Sequence, residues 1–412
     1  MASFLGLVQR LRQMNNPPIA DKKADALKFG ILGAANIGPN GLFIPAKTHP
    51  DVVVQAVAAR DQVKAKKYAQ DHGIPDVKGS YQEMLDDPEI DCVYIPLPNT
   101  LHFEWATRAL KAGKHVLLEK PAVINAAEAQ VLFAQPVPSS GPVLLEATHS
   151  LFHPAFAAFL SHLTPPSDVV YARASILAPR GVWPADDMRF DYELGGGALA
   201  DMGPYTLGAL RMAFGAMPSA CEESVVEKRA NGVDDSCSAR FRFPNGGVGE
   251  VYVNLRSAWM EGISPDAEAK MRPIVVDAGE AGVKLGEGQE VVRTRHVYFK
   301  NFALPTSYHY IQVSDEYSIR KVGTQDIVKK WNTSKTVKAY TFRQAGIEQP
   351  SEEYYTTWRF MLEQFVSKVR GRPTTEGMWL DGEFSIDIAK MIDMAYSAGG
   401  LSLRPSREDV HS

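Results

Sequence analysis

Between Lys28 and Ser150, five short apolar runs alternate with helical stretches, and nothing else in the chain restricts its fold as strongly. The runs are Phe29–Leu32, Val52–Ala59, Cys92–Ile95, His115–Leu118 and Val143–Ala147. Helical spacing of apolar residues recurs at Gln62–Asp71, Tyr81–Leu85, Phe103–Ala112 and Ala126–Phe133. This alternation predicts parallel strands joined by crossover helices, an α/β layer structure with both sheet faces covered. Beyond Ser150 the pattern changes. Val169–Leu177, Cys237–Phe243, Val248–Leu255, Pro273–Val276, Thr294–Phe299, Tyr308–Val313 and Val337–Phe342 read as strands, with Pro, Asn and Gly in the connections, and they predict a large antiparallel sheet. Helices are expected at about 198–214, 353–369 and 382–398, the last closed by Gly399-Gly400. The expected division is an N-terminal extension over 1–27, a parallel-sheet domain over 28–150 and an α+β domain over 151–412.

Composition narrows the partners. Acidic residues number 48 against 44 basic ones, a net charge of −4, so there is no electrostatic reason to hold nucleic acid or an anionic membrane surface. No apolar run approaches the ~20 residues that span a bilayer. Cys92, Cys221 and Cys237 lie far apart, in no disulfide or zinc pattern, which fits a reducing, cytoplasmic setting. Small molecules and other copies of the chain remain as expected partners. The first sixteen residues carry Arg10 and Arg12, no acidic residue and a broken apolar stripe. They read as an amphipathic helix docked on a domain edge in preference to a transit leader, which is usually richer in Ser and Arg.

The first strand runs into Gly33-Ala34-Ala35-Asn36-Ile37-Gly38, the spacing G-x-G-x-x-G with Ala35 in place of the middle glycine. A tight turn out of a strand, with backbone amides at a following helix, is what a dinucleotide pyrophosphate requires, so this block is expected to be a Rossmann domain. Gly33, Ala35, Asn36 and Ile37 are the candidate cradle. The second strand ends at Ala59-Arg60-Asp61, without the acidic residue that usually holds a ribose 2′-hydroxyl. Arg60 suits a 2′-phosphate, which favours NADP and leaves NAD tolerated. Lys64, Lys66 and Lys67 read as a solvated helix face. Pro96, Pro98 and Asn99 leave a third strand at the end where ligands collect in open parallel sheets.

The fourth strand ends in Lys114-His115-Val116-Leu117-Leu118-Glu119-Lys120-Pro121. Proline keeps Lys120 out of helical geometry and places a fixed charge at the crevice mouth. With these residues in view, the chain resembles the glucose–fructose oxidoreductase, inositol dehydrogenase and rhizopine-catabolism family. The likeness continues through Gly195-Gly196-Gly197-Ala198-Leu199-Ala200-Asp201-Met202-Gly203-Pro204-Tyr205 and reaches Ser397–Pro405. Many relatives carry Asp-x-x-x-His on this helix; Asp201-x-x-x-Tyr205 is similar instead to the branch with dihydrodiol and NADP-dependent xylose dehydrogenases. The resemblance implies Lys120, Tyr205 and Asp201 as catalytic residues, and cofactor contacts extending to His102, Glu119, Lys120 and Pro121. It also implies an open-faced C-terminal sheet through which two copies pair. Asp201 and Tyr205, four apart, share a helix face, and an ammonium beside Tyr205 is expected to favour its phenolate.

The segment Ala147-Thr148-His149-Ser150-Leu151-Phe152-His153-Pro154 departs from the family at Thr148, Ser150 and Leu151, which leaves the substrate open. His149 and His153 lack the Glu of a zinc helix motif, so no metal is expected, and His149 reads as a substrate hydrogen-bonding group. Trp183 and Arg189 are candidates for an aromatic wall and a polar substrate contact; loop packing explains either equally well. The resulting expectation is hydride transfer between a sugar-like alcohol or diol and NADP. A nicotinamide-dependent glycosidase and a non-catalytic NADP sensor are the alternatives.

Overall fold

Six strands build the N-terminal sheet: β1 (Leu27–Leu32), β2 (Val52–Ala58), β3 (Asp76–Lys78), β4 (Cys92–Ile95), β5 (His115–Leu118) and β6 (Leu144–Glu146). The computed structural model describes residues 4–133, 141–261, 265–324 and 326–406; the ends of the expected extension and of the expected α+β domain, 1–3 and 407–412, lie outside them. The strands are parallel in the order β3-β2-β1-β4-β5-β6. Their apolar residues are buried on both faces, as at Phe29, Ile31, Val93, Tyr94, Val116 and Leu117, which is why the runs are continuous instead of alternating. The strand order reverses between β1 and β4, and a crevice opens there at the carboxyl ends.

Helices Gln62–His72, Tyr81–Asp86, His102–Lys111 and Ala126–Phe133 follow the expected positions closely. Gln62–His72 starts where Asp61 accepts from the amides of Val63 and Lys64, and it stops at Gly73 with φ 66°. After the Gly33 turn, however, the chain forms a π-helical turn, Pro39–Phe43, and then the short α-helix Ile44–Lys47, instead of one regular helix. Pro45 removes an amide from any continuous ladder there.

The second sheet has nine strands among the described residues: β7 (Val169–Pro179), β8 (Ala220–Lys228), β9 (Asp234–Arg242), β10 (Val248–Ser257), β11 (Asp266–Met271), β12 (Ile274–Val276), β13 (Gln289–Lys300), β14 (Tyr310–Lys321) and β15 (Ile327–Val337). The order is β15-β14-β13-β11-β7-β10-β9-β8, with β12 paired to β13; only β7 and β10 run parallel. Val337–Phe342 is not a strand: the last strand ends at Val337, and Ala339, Tyr340 and Phe342 turn inward to the core. Helix Ala198–Phe214 covers one face, against β7, β9 and β10. The opposite face is polar. There Tyr171 donates to Glu250 (2.9 Å), Tyr298 donates to Asp266 (2.8 Å) and His296 pairs with Glu268 (2.7 Å).

Two further helices tie the halves together. Thr357–Val369 packs on Ile44–Lys47, and Gly382–Ala398 packs on Ala126–Phe133 and β6. One apolar core consequently runs from Phe29 and Tyr94 through Phe152, Phe156 and Phe365 to Phe299. Phe4–Asn15 is a helix, and its Arg10 side chain is anchored in the C-terminal half. Among the described residues, no helix is long and apolar enough to cross a membrane.

Candidate active site

Four strand ends supply one side of a cleft of about 760 Å³, within the range of small-molecule and cofactor sites. Gly33, Ala35, Asn36 and Ile37 line it from the end of β1, Arg60 from β2, Pro96, Pro98 and Asn99 from β4, and Glu119 and Lys120 from β5. Gly33 has φ +107°, a conformation other residues rarely adopt, so the chain can turn sharply out of β1 under the Leu97 side chain. The cradle, the cationic end at Arg60 and the position at the strand-order reversal all fit a dinucleotide. Lys64 lines the same cleft beside Arg60, not a purely solvated face. A helix-face pattern cannot reveal which of its lysines points back over the preceding strand end.

Two expected cofactor contacts are placed elsewhere. His102 is fully buried, with Nδ1 2.8 Å from Pro121 O and Nε2 2.8 Å from Leu97 O. It braces the Lys120–Pro121 turn against the β4 loop and does not line the cleft. Pro121 lies behind that turn, facing a small gap shared with Val123 and Tyr396. Asn99 lines the cleft, yet its amide is committed to Gly195 O at 2.9 Å, so it also joins the two halves.

The opposite wall is built on helix Ala198–Phe214. Its first amides have no partner within the helix, and Asp234 supplies one by accepting from Leu199 N at 2.7 Å while it receives the Tyr396 hydroxyl at 2.9 Å. Gly197 has to be glycine for this: its φ is +146°, and an added Cβ would lie 2.2 Å from Asp234 Oδ1. Asp201 sits in the first turn, where the helix dipole favours an anion. Pro204 removes an amide from the helical ladder near this end. Lys120 reaches across to donate to Asp201 Oδ1 (2.6 Å) and to Asp201 O (2.7 Å).

Asp201 is shared between two cations. Its Oδ2 accepts from Arg189 Nε at 2.9 Å, and Arg189 also pairs with Asp187 at 3.0 Å. Burial alone would raise the Asp201 pKa, but Lys120 and Arg189 outweigh it and hold the carboxyl at about 2. Arg189 is therefore not poised as a free substrate contact; it is bound to Asp201 and Asp187 and lies over the Trp183 ring at 4.7 Å. Trp183 lines the cleft.

Tyr205 is one helical turn beyond Asp201 and lines the cleft, its ring centre 5.3 Å from Lys120 Nζ. The expected lowering of its pKa does not occur. Burial, then the charges of Glu119 and Asp201, push the phenol well above its ordinary value, and Arg189 offsets this only in part. The Lys120 ammonium is paired with the Asp201 carboxylate, and burial with the nearby carboxyls prevails. Tyr205 is held as a neutral phenol, with no hydrogen-bond partner for its hydroxyl among the described residues.

His149 stands edge-on to Tyr205 at 5.0 Å and stacks on Trp358 at 3.8 Å. Its Nδ1 is 2.7 Å from Thr357 Oγ1, and burial followed by Lys120 keeps its pKa well below the usual histidine value. A neutral ring with Nδ1 occupied has only Nε2 left for another partner. His153 instead accepts from Ala155 N at the start of helix Pro154–Ser161. The departures at Thr148, Ser150 and Leu151 are all buried and none lines the cleft. Trp358, Ala303 and Leu304 line the cleft and were not foreseen, since no motif marks them and they lie more than 150 residues from the Lys120 strand.

Known proteins agree with this architecture. The family model described as an oxidoreductase family with an NAD-binding Rossmann fold, GFO/IDH/MocA, matches residues 27–136, and the GFO/IDH/MocA C-terminal domain matches 167–268. D-xylose 1-dehydrogenase (NADP(+)) 2 of Haloferax volcanii is 35% identical over 225 residues, which cover 55% of this chain and 68% of that protein. The chain belongs to the GFO/IDH/MocA oxidoreductase family. Another member, trans-1,2-dihydrobenzene-1,2-diol dehydrogenase of Sus scrofa, is 31% identical over 261 residues, 61% of this chain and 74% of the relative. Among solved structures, a 3-ketoreductase from Actinomadura kijaniata in complex with NADP and TDP-benzene superposes with a TM-score of 0.64 at 22% identity, covering 90% of this chain and 98% of its own. Levoglucosan dehydrogenase in complex with NADH gives 0.67 at 18% identity, with coverage of 91% and 97%. At such identities the structures establish the shared fold. As a member of this family the chain is an NAD(P)-dependent oxidoreductase.

Proposed function

We propose that the protein transfers hydride between NADP and a sugar-like alcohol or diol of the D-xylose or dihydrodiol type, with Tyr205 moving the hydroxyl proton and Lys120 holding the substrate oxygen. The single observation that carries this reading is the convergence of Lys120, Asp201 and Tyr205 on one cleft with the dinucleotide cradle. Residues 28–150 would bind the cofactor and 151–412 the substrate, and two copies would meet across the polar face of the nine-stranded sheet. The nicotinamide, when bound, accepts hydride in oxidation and gives it in reduction.

In reduction, neutral Tyr205 donates its proton to the carbonyl oxygen while the Lys120 ammonium stabilises the developing negative charge. Asp201 keeps Lys120 aimed, Arg189 keeps Asp201 in place, and His149 offers Nε2 to a second hydroxyl. In oxidation Tyr205 has to accept the proton as phenolate, the form that burial disfavours. The expected sign follows: kcat/KM for oxidation rises about tenfold per pH unit through the alkaline range, while reduction stays flat until the phenol ionises. Initial rates in both directions against pH check this. An oxidation profile level from neutral pH upward would remove Tyr205 from the role.

Arg60 and Lys64 together would hold the 2′-phosphate. Arg60→Ala is expected to lower the NADP:NAD ratio of kcat/KM about 10- to 100-fold, the equivalent of one or two lost charge-assisted hydrogen bonds, with Lys64→Ala smaller in effect. Steady-state rates with each cofactor give the ratio. For the function itself, the test is the absorbance of reduced nicotinamide in the presence of NADP and a panel of aldoses, inositols and cyclic diols, with product release from glycosides followed alongside. Sustained net reduction supports a dehydrogenase. Cleavage of glycosides without net reduction points to the glycosidase alternative, and binding of NADP with no turnover points to the sensor.

A further inference from the structure

The N-terminal helix does not line the cleft, but it holds a loop that does. Helix Phe4–Asn15 directs Arg10 into the C-terminal half, where the residue is only 4% exposed, far deeper than a surface arginine. Its Nε donates to Thr306 O at 3.0 Å, and the same guanidinium donates to Ser307 O at 3.3 Å. Cζ lies 3.8 Å from the centre of the Tyr340 ring, and Nη1 is 3.7 Å from Glu353 Oε2. One side chain therefore spans the loop between β13 and β14, the stretch after β15, and the approach to helix Thr357–Val369.

Two of those segments form the far wall of the cleft. The 301–309 loop contributes Ala303 and Leu304. It is drawn together by Asn301, whose φ is +61° and whose side-chain amide donates to Leu304 O (2.9 Å) and Tyr308 O (2.7 Å). Thr306 Oγ1 donates to Tyr355 O at 3.0 Å, shortly before Thr357, which holds His149, and Trp358, on which His149 stacks. A planar guanidinium that satisfies two main-chain carbonyls and stacks on a ring fixes their relative positions, because leaving any of these polar groups buried and unpaired is costly.

We propose that Arg10 is a positioning residue for substrate: it clamps the 301–309 loop to the 353–358 segment and so sets the wall opposite Tyr205, with no contact at the cofactor end. The proposal rests on the reading that substrate lies between Tyr205, His149 and that wall.

The test compares the full chain with Arg10→Ala, Arg10→Lys and, as a control, Arg12→Ala on the exposed side of the same helix. With NADP present, Arg10→Ala is expected to raise the KM for D-xylose about fivefold or more, with kcat and the NADP dissociation constant changed less than about twofold. Arg10→Lys should recover much of the loss, and Arg12→Ala should behave as wild type. Backbone hydrogen exchange read by mass spectrometry should be about tenfold faster at 301–309 in Arg10→Ala and unchanged at 33–38. Faster exchange throughout the chain, or a parallel fall in kcat and NADP affinity, would make Arg10 a general stability residue and overturn the proposal. If the wild type turns over neither D-xylose nor any other alcohol of the panel, the functional reading fails separately. The exchange comparison then decides: local acceleration at 301–309 upholds the clamp, and unchanged exchange there refutes it.

Discussion

Lys120→Ala is expected to lower kcat/KM by about 10³-fold while NADP still binds, the scale seen when a charge that stabilises a developing oxyanion is removed. The geometry explains why no neighbour can substitute. Lys120 leaves β5 on a turn braced by His102, and its ammonium sits 5.3 Å from the Tyr205 ring centre. The other nearby cation, Arg189, is bound to Asp201 and Asp187. Tyr205→Phe removes the proton donor but leaves the wall, so its expected loss is about 10²- to 10⁴-fold in kcat. Because the two residues act on the same oxygen, the double variant should be little worse than the poorer single one. Steady-state kinetics with NADP titrated separately distinguishes lost chemistry from lost binding; equal losses in both would mean that Lys120 serves only to hold the cofactor.

The second large effect concerns Asp201. Asp201→Asn leaves Lys120 and Arg189 facing each other with one anion fewer, in a place where the carboxylate side chain is 16% exposed. Removing one member of a largely buried ion cluster is expected to cost about 3 kcal/mol of stability, and activity should fall about 10²-fold as Lys120 loses its aim. The pH dependence has a definite sign. Asp201 is held at about 2, below its unfolded value near 3.9, so its contribution is complete above the unfolded value and is lost as pH falls through about 2. Denaturant unfolding of wild type and Asp201→Asn at neutral pH and near pH 2 measures this. The difference between the two proteins should shrink in acid; a difference independent of pH would place the loss in packing.

How far these residues could be read from sequence depended on the physics behind each. The parallel sheet was legible because β1, β2, β4, β5 and β6 are largely buried on both faces and therefore mostly apolar, and helix Ala198–Phe214 was expected with the bounds it has. The polar strands were not. β3 is a half-buried edge, and β8 and β15 are largely exposed, so their sequences carry no apolar alternation. β11 alternates acids and a lysine with alanines, too weak a pattern to read as a strand.

The site divides in the same way. Lys120, Asp201 and Tyr205 were visible through local motifs, and their meeting is what the fold supplies. Arg189 read equally as a substrate contact or as loop packing, because nothing in a loop sequence indicates that its partners will be Asp187 and Asp201. His102 was expected as a cofactor contact from the family resemblance, whereas burial turns it to two main-chain carbonyls. The Tyr205 phenol went up instead of down because burial and two nearby carboxyls govern it, and both are properties of the folded chain. Trp358 reaches the cleft, and Arg10 reaches the loop that walls it, only through contacts that span hundreds of residues.

The proposed function requires direct hydride transfer between a substrate carbinol carbon and the nicotinamide. It is tested most directly by giving the full chain NADP and a substrate carrying deuterium at that carbon, D-xylose labelled at C1 first, and weighing the cofactor afterwards. Reduced NADP carrying one deuterium is expected, formed by wild type and lost in Lys120→Ala. Oxidised substrate with unlabelled cofactor, or NADP bound but unreduced across the whole labelled panel, would contradict it.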